Sequence, residues 1–321
     1  VAKLCINSLI LNKKLLSLGT MYLDINCTTF PFDQALFANR ETVGGSYQLE
    51  LGGSALHFAK IAAQLDMDVT FIGKAGKDEM GTMLVSLLKQ NNINPLVVLD
   101  KNVQTNLAMH YIHNDGSSIM TSCGNANQSI SIVDIEERLE TILNAVDYLY
   151  LGGVFKLKNV LPNLKKIAKK AQEKNVTVVL DHGRVNNSVT ATDIEYLYGL
   201  FPFVDIYLPS IDEFLSVWKS DTPQEGFIKL NKVAKPITII KQAEDGAIGF
   251  HGDQIIDVDS YKVDVINTVG AGDSFNAGFL KALSDEMPVK DSMQFACAVA
   301  ATKISTLDKM TLDKVNKLIK K

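Results

Sequence analysis

Short runs of β-branched residues alternate with longer amphipathic runs of helical period, and this alternation restricts the fold more than any other feature. The helical run 54–65 leads to the strand-like run VTFIG at 69–73, and the helical run 159–174 leads to VTVVL at 176–180. Strand–helix–strand units of this kind place neighbouring strands in parallel, with the helices covering the sheet. The sequence therefore predicts an α/β fold with a mostly parallel sheet and helices on both faces.

The same alternation gives approximate bounds for the regular elements. Predicted strands cover 15–18, 69–73, 95–99, 146–151, 176–180, 205–208 and 237–241, and predicted helices cover 54–65, 80–92, 135–145, 159–174 and 211–218.

Two segments, 30–51 and 105–123, break the alternation and resemble antiparallel strand material. In the second segment, Asn114-Asp115-Gly116 separates two strand-like runs, and these residues tolerate the positive φ of a tight turn. Strands inserted between β–α units often form a lid over the carboxyl edge of the main sheet, where open α/β sheets bind ligands. We therefore expect a small β lid. An ordinary edge hairpin is the alternative.

Composition restricts the partners and the compartment. The 321 residues carry a formal net charge of -4 with a pI near 5.8, so no basic field favours nucleic acid. The four cysteines lack the spacing of a disulfide framework or a zinc site, and no apolar run reaches the length of a membrane span. We expect a cytoplasmic protein without a nucleic-acid or membrane partner, in which residues 1–16 form an N-terminal extension.

The segment DVINTVGAGDSFNAGFLKAL, residues 264–283, is the most informative. A β-rich run is predicted to end at Asn267-Thr268, after which Gly270 and Gly272 precede Asp273 at the head of a helix. Glycines let backbone amides approach an anion, and a helix N-terminus adds positive charge. A carboxylate there can accept a proton from an attacking hydroxyl. The alternative is that Asp273 only caps the helix.

These residues carry a family resemblance. GAGDSFNAGFL, preceded by Asn-Thr-Val, resembles the C-terminal signature of the ribokinase-like, or PfkB, carbohydrate kinases. LGTMYLDIN, LELGGSALHF, LPSIDEF and IIKQAEDGAIGF resemble further segments of that family, in its order, from about residue 17 to residue 310. The resemblance implies a ribokinase-like three-layer sandwich over 17–321, with lid segments at about 30–50 and 104–123.

The resemblance also implies roles for single residues. Asp273 corresponds to the catalytic base, and the amides of Gly270, Ala271 and Gly272 correspond to the anion hole. On the substrate side, Asp24, at the end of the family's first strand, and the pair Gly52 and Gly53 match positions that bind sugar hydroxyls. A plain turn leading into a helix is the alternative for the glycine pair.

On the nucleotide side, Glu213 matches a position that helps to organise Mg²⁺. Its alternative is a solvated carboxylate in the first turn of a helix. The resemblance places five residues around ATP: Lys241, Glu244, Gly246, Asn276 and Ala298. For Lys241, an exposed lysine at a strand end is the alternative.

Four positions depart from the family pattern. His57 stands where many members have Asn for substrate binding, and Asn267 replaces an Asp that belongs to a monovalent-cation site. Ser210 and Ala243 replace an Asn and a Gly. We expect weak dependence on monovalent cations. His57 is interpreted as substrate-binding, or alternatively as a helix-face histidine among apolar neighbours.

Arg184 follows the strand 176–180, in the sequence Asp181-His182-Gly183-Arg184, at the edge where ligands bind. Its guanidinium could hold a carboxylate or phosphate of the substrate, or could pair with Asp181.

These features together predict an ATP- and Mg²⁺-dependent kinase that phosphorylates a hydroxyl of a small sugar or sugar-like polyol. The alternatives are a nucleoside, adenosine-like kinase of the same superfamily, and a non-catalytic sugar or nucleotide sensor. A dehydrogenase is disfavoured because no GxGxxG follows the first strand. The resemblance further implies a homodimer formed through the lid.

Overall fold

The structure is a computed structural model and describes residues 13–28, 45–112, 118–252, 254–306 and 308–320. Its strands are β1 (Lys14–Gly19), β2 (Tyr22–Cys27), β3 (Tyr47–Gly52), β4 (Asp68–Gly76), β5 (Ile93–Asp100), β6 (Leu107–Ile112), β7 (Ser118–Cys123), β8 (Tyr148–Gly152), β9 (Thr177–Asp181), β10 (Ile206–Tyr207), β11 (Ile237–Lys241), β12 (Ala247–His251) and β13 (Gln254–Val258). Its helices are α1 (Ser54–Gln64), α2 (Glu79–Gln90), α3 (Ala126–Ser129), α4 (Ile132–Ile142), α5 (Leu164–Glu173), α6 (Ala191–Leu200), α7 (Ile211–Trp218), α8 (Pro223–Asn231), α9 (Ala271–Ser284), α10 (Val289–Ile304) and α11 (Leu312–Ile319).

A large, mostly parallel sheet forms the centre of the molecule. Within the described residues it has nine strands in the order β13-β12-β11-β10-β9-β8-β1-β4-β5. The strands from β11 to β5 pair in parallel, whereas β12 and β13 add antiparallel strands at one edge. Strands buried on both faces read as nearly continuous apolar runs, as in the run 176–180. The predicted sheet is confirmed.

Hydrophobic side chains fill both faces of this sheet, and neighbouring residues of one strand point to opposite faces. On β1, Leu15 packs in one cluster with residues of α1, α9 and α10, and Leu16 packs in a second cluster with residues of α4 to α8. On β9, Val179 belongs to the first cluster and Leu180 to the second. This alternation, with a period of two, produces the predicted three layers.

A smaller sheet in the order β3-β2-β6-β7 lies beside the main one, within the part of the chain that the structure describes. The two strands predicted around residues 114–116 form β6 and β7 and pair antiparallel, while β2 and β6 pair in parallel. The predicted turn residues and most of the predicted strand segment 30–51 lie outside the described residues. The small β sheet that the sequence predicted is confirmed.

The sequence suggested that Asp24 ends the first strand, but the structure places it elsewhere. β1 ends at Gly19, and Asp24 lies in the middle of β2 in the small sheet. The chain leaves the main sheet at Met21, whose backbone is held by the Asn127 side chain through bonds of 3.1 and 3.0 Å. The motif LGTMYLDIN therefore spans two strands that belong to two different sheets.

Two further expectations need correction. The β-branched run before Asn267 is not a strand: Val265 and Ile266 are exposed, and the Ile266 and Asn267 amides donate to the Ile304 carbonyl instead of to a strand. The helix predicted over 159–174 begins at Leu164, because Pro162 lies in a short 3₁₀ turn before it. None of the described helices combines the length and the apolar character needed to cross a membrane.

Candidate active site

The loop before α9 shapes the centre of the site. Gly270 adopts a left-handed φ of 75° at the N-cap of α9, a conformation that favours glycine. The Asn267 side chain accepts the Val269 amide at 2.9 Å, and the Ala271 amide donates to Thr268 O at 3.2 Å. Among the described residues, no acceptor bonds the amides of Gly270 or Gly272. The N–H groups of Gly270 and Gly272 are therefore available to an anion, whereas the Ala271 N–H of the predicted anion hole already donates to Thr268.

Asp273 lies in the first turn of α9 with its carboxylate largely shielded from solvent. One oxygen accepts the Ser54 hydroxyl at 2.7 Å, and the other lies 3.5 Å from His57 Nδ1. Both partners belong to α1, which packs against α9. Gly53, with φ of 92°, turns the chain from β3 into this helix. The glycine pair thus brings Ser54 and His57 to Asp273.

Asp24 lies beside Gly52 because β2 and β3 pair with Tyr22 opposite Gly52. A Cβ atom at Gly52 would overlap the Asp24 carboxylate, so only glycine leaves room for that group. Position 52 therefore requires glycine because the Asp24 carboxylate of the neighbouring strand fills the space beside it.

Two histidines flank the buried Asp24 carboxylate. His57 Nε2 lies 3.4 Å and His110 Nε2 lies 3.3 Å from Asp24 Oδ2. Asp24 Oδ1 and His110 Nε2 have no well-aligned hydrogen-bond partner among the described residues. Because buried polar atoms are rarely left unpaired, these two atoms are suited to a ligand that supplies hydroxyl groups.

The close charges shift the pKa values of Asp24 and His57. Burial raises the pKa of Asp24, but the close contacts with His110 and His57 and their charges outweigh it and leave that pKa below its usual value. Burial lowers the pKa of His57, whereas the contacts with Asp24 and Asp273 raise it, with a net result of about 9. A pKa of about 9 favours the imidazolium form of His57 at neutral pH.

A cavity of about 310 Å³ opens next to these side chains. It is lined by residues of several elements, among them Asp24, His57, Asn267, Gly270, Lys303 and Met310. Its volume is that of a small-molecule site.

A buried ionic cluster lies below the α9 loop. Lys241 Nζ donates to Asp181 Oδ2 at 2.9 Å, to Leu208 O at 2.7 Å and to Asn276 Oδ1 at 3.0 Å. Asn276 also donates to Asp181, at 2.6 Å. Burial raises the pKa of Asp181, but the Lys241 charge outweighs it and holds the pKa below its usual value. A Cβ at Gly272 would lie 3.6 Å from Lys241 Nζ, so the ammonium group sits directly beneath the loop.

The contacts of this cluster exclude one alternative for Lys241 and one for Arg184. Lys241 is only 9% exposed, so the alternative of an exposed strand-end lysine is wrong. Arg184 is exposed, while the Asp181 carboxylate binds Lys241, Asn276 and the Gly183 amide, so the alternative pairing of Arg184 with Asp181 does not form.

The remaining predicted residues occupy different environments. Glu213 lies in the first turn of α7, as its alternative had it, but it is partly buried and accepts the Ser210 amide at 2.9 Å in a capping box instead of being fully solvated. Glu244 is exposed in the turn Ala243–Asp245, followed by Gly246 with φ of 87°. Ala298 is buried in the core cluster on α10. In the described part of the chain, no three His, Cys, Asp or Glu side chains converge to hold a metal.

Sequence reasoning did not assign Ser54 or His110 to the site. Ser54 could have been found, since it follows Gly52-Gly53 directly and begins α1. His110 lies two residues after Ala108 on β6, so strand alternation puts both on the same face, and both are buried. That alternation does not reveal which carboxylate a buried histidine contacts.

The comparisons agree with this architecture. The model of the pfkB family of carbohydrate kinases matches residues 12–313. The 5-dehydro-2-deoxygluconokinase of Geobacillus kaustophilus is 25% identical over 315 residues, covering 91% of this chain and 88% of that protein. The ribokinase of Dictyostelium discoideum is 25% identical and covers 87% and 92%, respectively.

Solved structures show the same fold. Arabidopsis thaliana ribokinase, complexed with ribose and ATP, superposes with a TM-score of 0.80 at 21% identity, over 97% of this chain and 99% of that one. Adenosine kinase from Sinorhizobium meliloti superposes with a TM-score of 0.76 at 17% identity, over 96% and 99%. The fold is therefore ribokinase-like. Since the family model spans nearly the whole chain, this protein belongs to the pfkB family of carbohydrate kinases.

Proposed function

We propose that the protein transfers the γ-phosphoryl group of ATP to a hydroxyl of a small sugar or sugar-like polyol. The observation that carries this proposal is the position of Asp273, beside the two available amides of the α9 loop and linked through His57 to the buried Asp24. A proton acceptor, an anion site and a hydroxyl-binding carboxylate are the components that phosphoryl transfer to an alcohol requires.

The proposed reaction uses these groups together. A substrate hydroxyl binds near Asp273 while other hydroxyls donate to the unpaired Asp24 Oδ1. Asp273 accepts the hydroxyl proton as the oxygen forms a bond to the γ-phosphorus, and the bond to the ADP oxygen breaks. The Gly270 and Gly272 amides, with the positive end of the α9 dipole, stabilise charge on the transferring group.

The buried Lys241 acts from below the loop in this proposal. All three of its N–H groups are used within the protein, so it supports the anion site through its charge and its hold on Asn276. The turn with Glu244 and Gly246 would border the nucleotide, and the α10 residues around Ala298 would form the apolar support behind it.

Mg²⁺ fits this donor set as an ion held mainly by the phosphates and water. One Glu213 oxygen already caps α7, which leaves the carboxylate able to orient a water ligand of the ion, and no preformed cage exists among the described side chains. When bound, Mg²⁺ neutralises phosphate charge. Because Asn267 is neutral, we also propose weak activation by K⁺, measurable as ADP release with and without the ion.

The test of the proposed base is Asp273→Asn, which keeps a side chain of the same shape but cannot accept the proton. We expect turnover to fall by about 10²-fold or more while ligand binding survives. Asp291→Asn is the matched control, since Asp291 occupies the same third position of α10 and is exposed. Turnover of Asp273→Asn close to that of the wild type would refute the assignment.

A nucleoside kinase is the second candidate, favoured by the fold likeness to adenosine kinase. A panel of pentoses, hexoses, keto-sugar acids and nucleosides, followed by ADP release, separates the two. Binding of a panel member without ADP formation would instead indicate a sensor.

A further inference from the structure

His57 lies between the two carboxylates of the proposed centre. Its Nδ1 is 3.5 Å from Asp273 Oδ2, its Nε2 is 3.4 Å from Asp24 Oδ2, and its side chain is 16% exposed. A neutral imidazole has one N–H and one lone pair, so it would direct a lone pair at one of these oxygens. Only the imidazolium donates from both nitrogens. The geometry therefore matches the charged form.

Other charged groups line the same cavity as His57. Lys60, one turn along α1, pairs with Glu50 of β3 at 3.5 Å, and Lys303 of α10 lines the same cavity. His110 of β6 contacts Asp24 but not Asp273. The ring thus contacts one carboxylate from β2 and one from α9, and the charge of Lys60 is offset by its own partner, Glu50.

We propose that His57 is a positioning residue that carries a positive charge in the working enzyme and holds Asp24 and Asp273 together as one Asp24–His57–Asp273 unit. This inference rests on the proposed function, because the two ends of the unit are the substrate-binding carboxylate of Asp24 and the proposed base Asp273.

The positive charge in this unit reduces electrostatic repulsion within the site. Two carboxylates beside an anion site repel each other and the incoming phosphates, and a single shared imidazolium offsets part of that repulsion. An Asn at this position, the residue that the family pattern leads one to expect, could bond either carboxylate but would add no charge. His57 keeps its own protons during the reaction, since the hydroxyl proton moves to Asp273.

The inference predicts how activity depends on pH. Burial lowers the pKa of His57 and the two carboxylates raise it, to about 9, so the charge is present below that pH and is lost above it. The kcat of the wild type should therefore fall along an alkaline limb with an apparent pKa near 9. In His57→Asn this limb should disappear, and kcat at neutral pH should be about 10- to 100-fold lower.

Two control variants separate charge from structure. His251→Asn changes an exposed histidine on β12, and it should keep both the activity and the alkaline limb. His110→Asn removes a contact with Asp24 only, so any loss of substrate binding should leave the limb in place. A limb that persists in His57→Asn would overturn the inference, as would a wild-type kcat that stays constant up to pH 10.

A measurement on the wild type covers the case in which His57→Asn fails to fold. Of the five histidines, one ring should titrate near pH 9 in ¹H–¹⁵N spectra, and that titration should move down in Asp24→Asn. If every histidine ring has a pKa below 7.5, His57 does not carry the proposed charge and the inference is wrong. Failure of the proposed function would appear separately, as absence of ADP release by the wild type with every panel substrate.

Discussion

Ala243 has a left-handed backbone conformation, with φ of 52°, in the turn that joins β11 to β12. An L-residue with a Cβ pays about 1 kcal/mol or more for this conformation, whereas glycine adopts it freely. We expect Ala243→Gly to stabilise the protein by about 1 kcal/mol in urea unfolding. Ala191→Gly, at an exposed helical position of α6, should not stabilise it. Equal effects of the two substitutions would contradict the argument.

Arg184 has an exposed side chain at the carboxyl edge of the sheet, next to the buried Asp181 that it does not pair with. An exposed guanidinium there suits a substrate carboxylate or phosphate. We expect Arg184→Ala to raise KM for an acidic substrate by about 10- to 100-fold, with a smaller change in kcat and an unchanged Tm. Arg138→Ala, at an exposed site on α4, is the control. An unchanged KM for the best substrate would exclude an acidic-substrate role.

Single residues were predictable where the backbone restricts the choice of amino acid. Gly270 was identified from the sequence because a loop at a helix N-terminus requires such a residue, and Gly52 because it belongs to a recognisable pair. The partners were not predictable. The contact of His57 with both Asp24 and Asp273 joins three elements far apart in sequence, and no local pattern records which polar groups meet after folding.

At the scale of elements, the Lys241 cluster joins β9, β11 and α9 through buried charges. Removing one charge leaves the other buried without a partner, which typically costs about 3–5 kcal/mol. We expect Lys241→Met to lower the free energy of unfolding by that amount, and the double variant Lys241→Met/Asp181→Asn to recover part of it. Both are measured by urea denaturation.

The control for that experiment is Lys166→Met, which breaks an exposed ion pair with Glu136. Exposed pairs contribute little, so the loss should stay below about 1 kcal/mol. A loss for Lys241→Met no larger than this would show that the buried cluster does not stabilise the packing of its three elements.

The elements themselves were predicted to different degrees. Parallel strands were recognisable because burial on both faces makes them continuously apolar. The strand expected before Asn267 failed because β-branched composition favours a strand only where a neighbouring strand supplies hydrogen bonds. The division of LGTMYLDIN between β1 and β2 depends on the Asn127 contact, which lies more than a hundred residues away.

At the scale of the whole molecule, the small sheet presents apolar side chains to solvent along its edge strands. Tyr47 on β3 and Ile119 and Met120 on β7 are each more than half exposed. Edge strands of this kind pair readily with another chain. We expect a homodimer, seen in sedimentation as twice the 35.2 kDa mass of one chain, and we expect Ile119→Lys to shift it toward monomer.

Val133→Lys controls for added charge, because Val133 is exposed on α4 and belongs to no strand of the small sheet. It should leave the dimer intact. A wild-type chain that sediments as a monomer at tens of micromolar would rule out the expected assembly.

The buried Lys241 cluster also has a consequence for how this chain can diverge. A single replacement of Lys241 or Asp181 by an uncharged residue leaves the other charge buried without compensation, so selection for stability would remove most such variants. The two positions should therefore be inherited as a pair. Sequences that descend from a common ancestor with this one should either keep both charges or lose both, and Asn276 should change only in lineages where the pair is already gone.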